Sequence, residues 1–271
     1  MQTVAIITGG AGGMGLATAR RLGATHRIVI SDVKPERLDA AVASLGEQDI
    51  ASRAVVCDVT DRNSVDALFN QAATLGPVST VIHTAGLSPQ MADAETILRV
   101  NALGTIHISE AFHPMASEGS ALVHVSSMSA YLLPDLLVPK RAFANAFTQP
   151  DRLIRKIMSR VRLMPNGLYR TGMAYAVSKR FVQWYCQASA GRFGEKGARI
   201  LSVSPGTFDT EMGRLEEKSG AADMLKTAAL KRPGRPEEIA ALIAFCASSE
   251  ASYITGVDIL CDGGVVAGRQ R

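Results

Sequence analysis

A chain of 271 residues, 47% hydrophobic and 20% charged, suits one large α/β domain or two small ones and is too apolar for an intrinsically disordered protein. Its four cysteines, Cys57, Cys186, Cys246 and Cys261, are widely spaced, which excludes a disulfide framework and a cysteine-rich metal site, and no apolar run is long enough to cross a bilayer. Eight basic and two acidic residues between Tyr131 and Arg170 give that segment +6 of a net +4, leaving −2 elsewhere, so the basic balance does not mark the whole chain as a nucleic-acid binder.

In chain order, the opening "MQTVAIITGG" lacks a basic stretch and its apolar run meets glycine at once, so it reads as a strand and not as a signal peptide. A cytoplasmic protein in a reducing compartment is expected. Strands are predicted at 3–8, 26–31, 53–57, 80–83, 121–126, 198–204 and 257–261, from short Val- and Ile-rich runs that are mostly apolar on both faces. Helical patterns lie between them at about 14–22, 36–45, 61–74, 92–112, 173–192 and 236–247. This alternation predicts a Rossmann-type α/β fold: a doubly wound, seven-stranded parallel sheet in a single domain over 1–271.

One segment, about 131–170, is too long for a structureless connection inside such a domain. In "DRLIRKIMSRV", Leu153, Ile154, Ile157, Met158 and Val161 form one apolar stripe, and the arginines and lysine mostly fall opposite, so a helix is predicted there. The stripe must be buried either in the substrate crevice or against a neighbouring subunit. A helical substrate lid is expected over about 208–231.

The first strand runs into "TGGAGGMG", residues 8–15, and a helix follows. Glycines there allow a sharp turn and let a pyrophosphate approach the free N–H groups of the helix. The register is open from spacing alone, since both Gly10, Gly12, Gly15 and Gly9, Gly13, Gly15 fit glycine-loop patterns. Asp32 ends the second strand, where a carboxylate accepts hydrogen bonds from the adenosine ribose and repels a 2′-phosphate; no arginine or lysine stands in the glycine loop. NAD(H) is therefore expected over NADP(H). The stretch "AYAVSK" places Tyr175 and Lys179 one helical turn apart on one face. A lysine ammonium beside a phenol favours the phenolate, which would let Tyr175 exchange a proton near neutral pH.

Taken together and in order, these motifs resemble the short-chain dehydrogenase/reductase family, most closely its bacterial 3α-hydroxysteroid dehydrogenase/carbonyl reductases. "TGGAGGMG" is similar to the family's loop, which selects Gly9, Gly13 and Gly15 and adds Met14. "CDVT" implies Asp58 and Val59 at the adenine ring, "HTAG" supplies Ala85 and Gly86, and "PGTFDT" supplies Pro205, Gly206, Thr207 and Thr210 around the nicotinamide. "NALG", "VSSMS" and "YAVSK" imply a catalytic set of Asn101, Ser127, Tyr175 and Lys179, the last two also meeting the cofactor. By resemblance, Tyr175 moves the proton, Ser127 holds the substrate oxygen, Lys179 binds the nicotinamide ribose, and Asn101 helps anchor a water beside Lys179. Ser126 competes with Ser127, because adjacent strand residues face opposite ways and only one can face the cofactor.

The implied function is NAD-dependent interconversion of a secondary alcohol and a ketone, with a steroid or other bulky apolar carbonyl compound as the substrate class. Leu87, Met128, Tyr131, Leu132 and Met212 are the apolar residues around the motifs. A homo-oligomer, dimer or tetramer, is expected, with no metal, nucleic-acid or membrane partner. A non-catalytic NAD-binding protein with a basic interaction surface is the alternative. Two departures stand out: His83 replaces the family's asparagine and reads as a structural brace, and Ser127 and Tyr175 lie 48 residues apart, far beyond the family's usual spacing. His26, His107, His113 and His124 read as strand-end or helix-surface residues.

Overall fold

The computed structural model describes residues 2–165, 167–216 and 222–269. Strands β1 (Val4–Thr8), β2 (Arg27–Asp32), β3 (Ser52–Val56), β4 (Val78–His83), β5 (Ala121–Val125), β6 (Arg199–Pro205) and β7 (Asp258–Cys261) form one sheet in the order β3-β2-β1-β4-β5-β6-β7. Every pairing is parallel. All residues of β1, β5 and β6 are buried, as strands covered on both faces must be. The order reverses between β1 and β4, and the crevice beyond the carboxyl ends of these two strands is where such sheets bind ligands.

The helices are α1 (Gly13–Leu22), α2 (Pro35–Gly46), α3 (Arg62–Ala73), α4 (Ala94–Leu98), α5 (Gly104–Phe112), α6 (Ser129–Leu132), α7 (Lys140–Phe143), α8 (Pro150–Val161), α9 (Leu168–Gly194), α10 (Glu211–Glu216), α11 (Ala222–Thr227), α12 (Pro236–Ala247) and α13 (Val265–Gly268). Alternate side chains of each strand feed two cores. Val4 and Ile6 join Leu68, Phe69, Phe112 and Phe181 on one face, while Ala5 and Ile7 join Leu22, Leu38 and Ile243 on the other. The pattern expected to give one helix over 92–112 is interrupted: α4 and α5 are joined by a π-helical turn, Arg99–Leu103, with Asn101 at its centre. The long helix α9 begins five residues earlier than its apolar pattern indicated.

The insert is helical. Leu153, Ile154, Ile157, Met158 and Val161 of α8 are all buried, with Pro150 and Asp151 in the first turn and Arg160 in the last, where the helix dipole favours them. At roughly 1.5–3 kcal/mol per buried side chain, the stripe suffices to hold one helix. Its partners differ from the expected ones. It packs on α4, the π-helical turn and α9, in one cluster with Ala94, Leu98 and Val177, and so covers the chain's own helices instead of the crevice or a second subunit. The physical reason is proximity: the insert leaves and rejoins the chain beside α9, so an apolar flank of the same molecule meets the stripe without any association entropy.

An aromatic clasp fastens the insert further. Phe143 meets Phe181 edge-on at 5.2 Å and Trp184 at 5.5 Å, and Phe147 stacks on Tyr185 at 5.2 Å. Such pairs add roughly 0.5–1.5 kcal/mol each beyond their burial.

Candidate active site

The carboxyl ends of β1, β2 and β4 open into a cleft of about 480 Å³. Gly9 and Gly13 have φ of +64° and +48°, which favours glycine at both turns of the loop. A β-carbon on Gly9 would stand 2.8 Å from the amide nitrogen of Ala85, so the loop lies hard against the end of β4. Thr84 Oγ1 reinforces this closeness by donating to the carbonyl of Thr8 at 2.7 Å. Gly9, Gly13, Met14, Gly15, Asp32, Asp58, Val59, Ala85, Gly86 and Thr210 all line this cleft.

Asp32 Oδ1 accepts from the Lys34 amide at 3.3 Å. Asp58 Oδ1 accepts from both the amide and the hydroxyl of Thr60 at 2.8 Å, which fixes the carboxylate. Pro205, the last residue of β6, and Gly206 and Thr207, which follow it, lie outside the lining. There, the Pro205 carbonyl accepts from the Met128 amide at 2.9 Å, and Gly206 is pressed against Asp262. The buried hydroxyls of Thr207 and of Ser31, which does line the cleft, have no partner among the described residues. A glycine cradle at a helix N-terminus, a carboxylate at the end of β2 and unspent hydroxyls fit a nicotinamide dinucleotide.

Gly86 is the seam between this cleft and the tyrosine–lysine pair. A β-carbon there would stand 3.2 Å from Asn101 Oδ1 and 3.3 Å from Lys179 Nζ. Lys179 is buried, its Nζ donates to the Val125 carbonyl at 3.0 Å, and it lies 5.7 Å from the centre of the Tyr175 ring. Both Ser126 and Ser127 lie just beyond β5, so strand alternation does not separate them; their hydrogen bonds do. Ser126 Oγ donates to the Lys179 carbonyl at 2.8 Å, whereas Ser127 Oγ accepts from the Ser129 amide at 3.2 Å and keeps its proton for another acceptor.

Asn101 is more heavily engaged than the resemblance implied. Its Oδ1 accepts from the Leu87 amide at 2.8 Å, and its Nδ2 donates to the Leu87 carbonyl and to Ser178 Oγ, both at 3.0 Å. Both amide hydrogens are thus spent on protein groups. Ser178 Oγ in turn donates to the Tyr175 carbonyl at 2.7 Å, so the π-helical turn, the start of the Leu87 loop and α9 are tied together. Ser178 stands inside "YAVSK", but nothing in the sequence distinguished it from a surface serine.

His83 braces the sheet as read: its Nδ1 hydrogen bonds Thr8 Oγ1 at 2.7 Å, linking β4 to β1. His124, read as a strand-end or helix-surface residue, is the penultimate residue of β5 and is fully buried, since that strand is covered on both faces. The two rings pack edge to face at 5.2 Å. Burial, aided by the positive charge of Lys179, pushes His83 down to about 3. Burial likewise holds His124 well below the ordinary histidine value, with His83 and Lys179 adding to it.

Of the five apolar residues expected around the substrate, Leu87 and Met212 line the cleft. Met128 is buried with Ala228 and Val265 near the end of the chain, and Tyr131 turns its hydroxyl to Asp258 Oδ2 at 2.7 Å. Met91, Val100 and Leu215, not singled out by the sequence, supply further apolar lining. The expected lid contains α10 and α11; its residues 217–221 lie outside the described residues.

Comparison with known proteins agrees with this geometry. The family model for short chain dehydrogenases matches residues 3–135, and that described as enoyl-(acyl carrier protein) reductase matches 160–266, leaving the middle of the insert uncovered. The chain is 32% identical to the short-chain dehydrogenase/reductase bsc3 of Alternaria brassicicola, over 98% of this chain and 96% of that one. It is 29% identical to galactitol 2-dehydrogenase (L-tagatose-forming) of Cereibacter sphaeroides, over 96% and 93%. A short chain dehydrogenase from Burkholderia cenocepacia, solved in complex with NADP, superposes with a TM-score of 0.78 at 25% identity, over 98% of both chains. The sheet order, the glycine cradle beside β4 and these full-length similarities make the chain a member of the short chain dehydrogenase family of oxidoreductases.

Proposed function

We propose that this protein is an NAD(H)-dependent oxidoreductase that interconverts a secondary alcohol and a ketone, with bulky apolar carbonyl compounds, steroids among them, as its substrate class. The observation that carries the reading is the position of Lys179, bonded to the backbone just before Ser126-Ser127, beside the Tyr175 ring and against Gly86 at the end of the cleft. When bound, the nicotinamide accepts or supplies the hydride. Gly9, Gly13, Met14 and Gly15 hold the pyrophosphate; Asp32 takes the adenosine ribose; Asp58, Val59, Ala85 and Gly86 border the adenosine and central parts; Pro205, Gly206, Thr207 and Thr210 border the nicotinamide end. Asp32 favours NAD(H), because a carboxylate accepts from ribose hydroxyls and repels a 2′-phosphate. The Burkholderia protein carries NADP, so the preference is argued from Asp32 alone.

The chain's own residues do the proton chemistry. Tyr175 takes the proton from the alcohol oxygen, or returns it to the ketone oxygen, and the Lys179 cation favours the phenolate form. Ser127 holds the same oxygen through its uncommitted hydroxyl proton. Asn101 keeps Leu87 and Ser178 in place around this group, a positioning role.

Leu87, Met91, Met212 and Leu215, on the wall of the same cleft, support an apolar substrate, beside Thr96, Arg99 and Glu211, which could meet polar groups. The galactitol dehydrogenase names the competing class. Following NADH absorbance with steroid alcohols against galactitol-type polyols tests the reading: turnover confined to polyols removes the apolar substrate, and no turnover with any alcohol removes the enzyme. We further propose a dimer or tetramer whose contacts avoid the part of α4 and α9 that α8 covers. A monomeric mass in light scattering overturns this.

A further inference from the structure

Although the glycine loop contains no basic residue, a guanidinium occupies the space above it. Arg37, in the first turn of α2, reaches back so that its Nη2 lies 2.6 Å from the point where a β-carbon of Gly12 would stand. Any side chain at Gly12 would displace it. The same Nη2 bonds Glu211 Oε2 at 3.0 Å, and Glu211 is the first residue of α10, directly after Thr210. Arg37, Glu211, Lys34, Gly12 and Asp32 all line the one cleft. A contact between residues 174 positions apart therefore spans the cleft from its β2 side to its lid side.

The pair is easily exchanged. The Arg37 side chain is 37% exposed and that of Glu211 77%, and ion pairs at such exposure contribute little. A phosphate offers a guanidinium two parallel charge-assisted hydrogen bonds and more charge than a carboxylate. Asp32 at the end of β2 opposes the same phosphate.

We propose that Arg37 is a specificity-determining residue of the cofactor cleft, able to bind a phosphate on the adenosine ribose, and that Glu211 competes with that phosphate for it. The balance of Asp32 and Glu211 against Arg37 then sets how strongly the protein discriminates NAD(H) from NADP(H). This rests on the dinucleotide reading given above and adds a residue the glycine-loop pattern does not contain.

Calorimetric titration with 5′-AMP and with 2′,5′-ADP tests it without nicotinamide or turnover. In Arg37→Ala, affinity for 2′,5′-ADP is expected to fall about tenfold, the loss of one charge-assisted contact, while 5′-AMP changes less than about twofold. In Glu211→Gln, 2′,5′-ADP is expected to bind at least about threefold more tightly, with 5′-AMP again unchanged. Equal losses for both ligands in Arg37→Ala would assign Arg37 to the 5′-phosphate, and unchanged ratios in both variants would leave it a surface residue; either result overturns the proposal. Failure of the NAD(H) preference is read separately, from tighter binding of 2′,5′-ADP than 5′-AMP by the unaltered protein.

Discussion

Lys179 donates from Nζ to the carbonyl of Val125 at 3.0 Å, which ties α9 to the end of β5 immediately before Ser126-Ser127. Lys179→Ala removes the cation beside Tyr175 and a charge-assisted hydrogen bond to a buried carbonyl, at a cost of about 1.5–3 kcal/mol. Turnover is expected to fall at least about a hundredfold, with weaker NADH binding and a lower melting temperature. Steady-state kinetics, a fluorescence titration and a thermal melt check the three effects together.

Tyr175→Phe removes one hydroxyl and keeps the ring. A loss of roughly 10²–10⁴ in kcat is expected, the range for a proton-transfer group, with NADH affinity within about threefold of the parent. An enzyme that keeps full activity without the phenol would move the proton transfer to another group.

At Asp32 the expected change is in preference. Asp32→Ala should weaken NAD(H) by about tenfold, the value of a charge-assisted hydrogen bond, and narrow the gap to NADP(H). The ratio of kcat/KM for the two cofactors in parent and variant decides this, and an unchanged ratio removes Asp32 from the cofactor reading.

The buried histidines make stability depend on pH. His83 is held near 3 against an ordinary value of 6.5, so below pH 6.5 the unfolded chain binds a proton that the native protein refuses. Stability is complete above about pH 6.5 and falls as pH is lowered toward 3, by about 1.4 kcal/mol per unit for this residue. His124 acts in the same direction. Urea unfolding at pH 7 and pH 5 should differ by roughly 2 kcal/mol on account of His83, and His83→Asn should flatten the dependence by about that amount. A variant with the same slope as the parent contradicts the assignment.

Phe143→Ala opens the clasp between insert and α9. Phe143 is wholly buried, and deleting such a ring costs about 3–5 kcal/mol. Chemical denaturation should show this loss, with turnover reduced more than NADH affinity because the insert adjoins the Tyr175 helix and not the glycine cradle. An unaltered denaturation midpoint would mean the insert contributes nothing to the core.

The strands were legible as short apolar runs, those of β1, β5 and β6 buried on both faces, and the structure moves their ends by one or two residues. The stripe on α8 was legible for the same reason, a local period; what it covers was not, since a stripe does not name its partner. Asn101 shows the limit well. Its residue type and place were readable, but the π-helical turn that holds it depends on Leu87 and Ser178, fourteen and 77 residues away. Tyr131 with Asp258, and Arg37 with Glu211, are likewise pairs that only the closed sheet brings together. For His124 it was the full burial that escaped: its Nε2 pairs with Ser109 Oγ at 2.9 Å, on the helix behind the strand, while its Nδ1 has no partner among the described residues.

Trp184 is the chain's one tryptophan, and it sits in the clasp, 5.5 Å from Phe143 and 6.0 Å from Phe147. The protein therefore carries an intrinsic fluorophore at the joint between insert and α9. Its emission should shift when the insert lifts away, even while the sheet stays folded, and bound NADH absorbs where indole emits. A single optical signal would then follow insert docking in the free protein and dinucleotide arrival by energy transfer, with no label added.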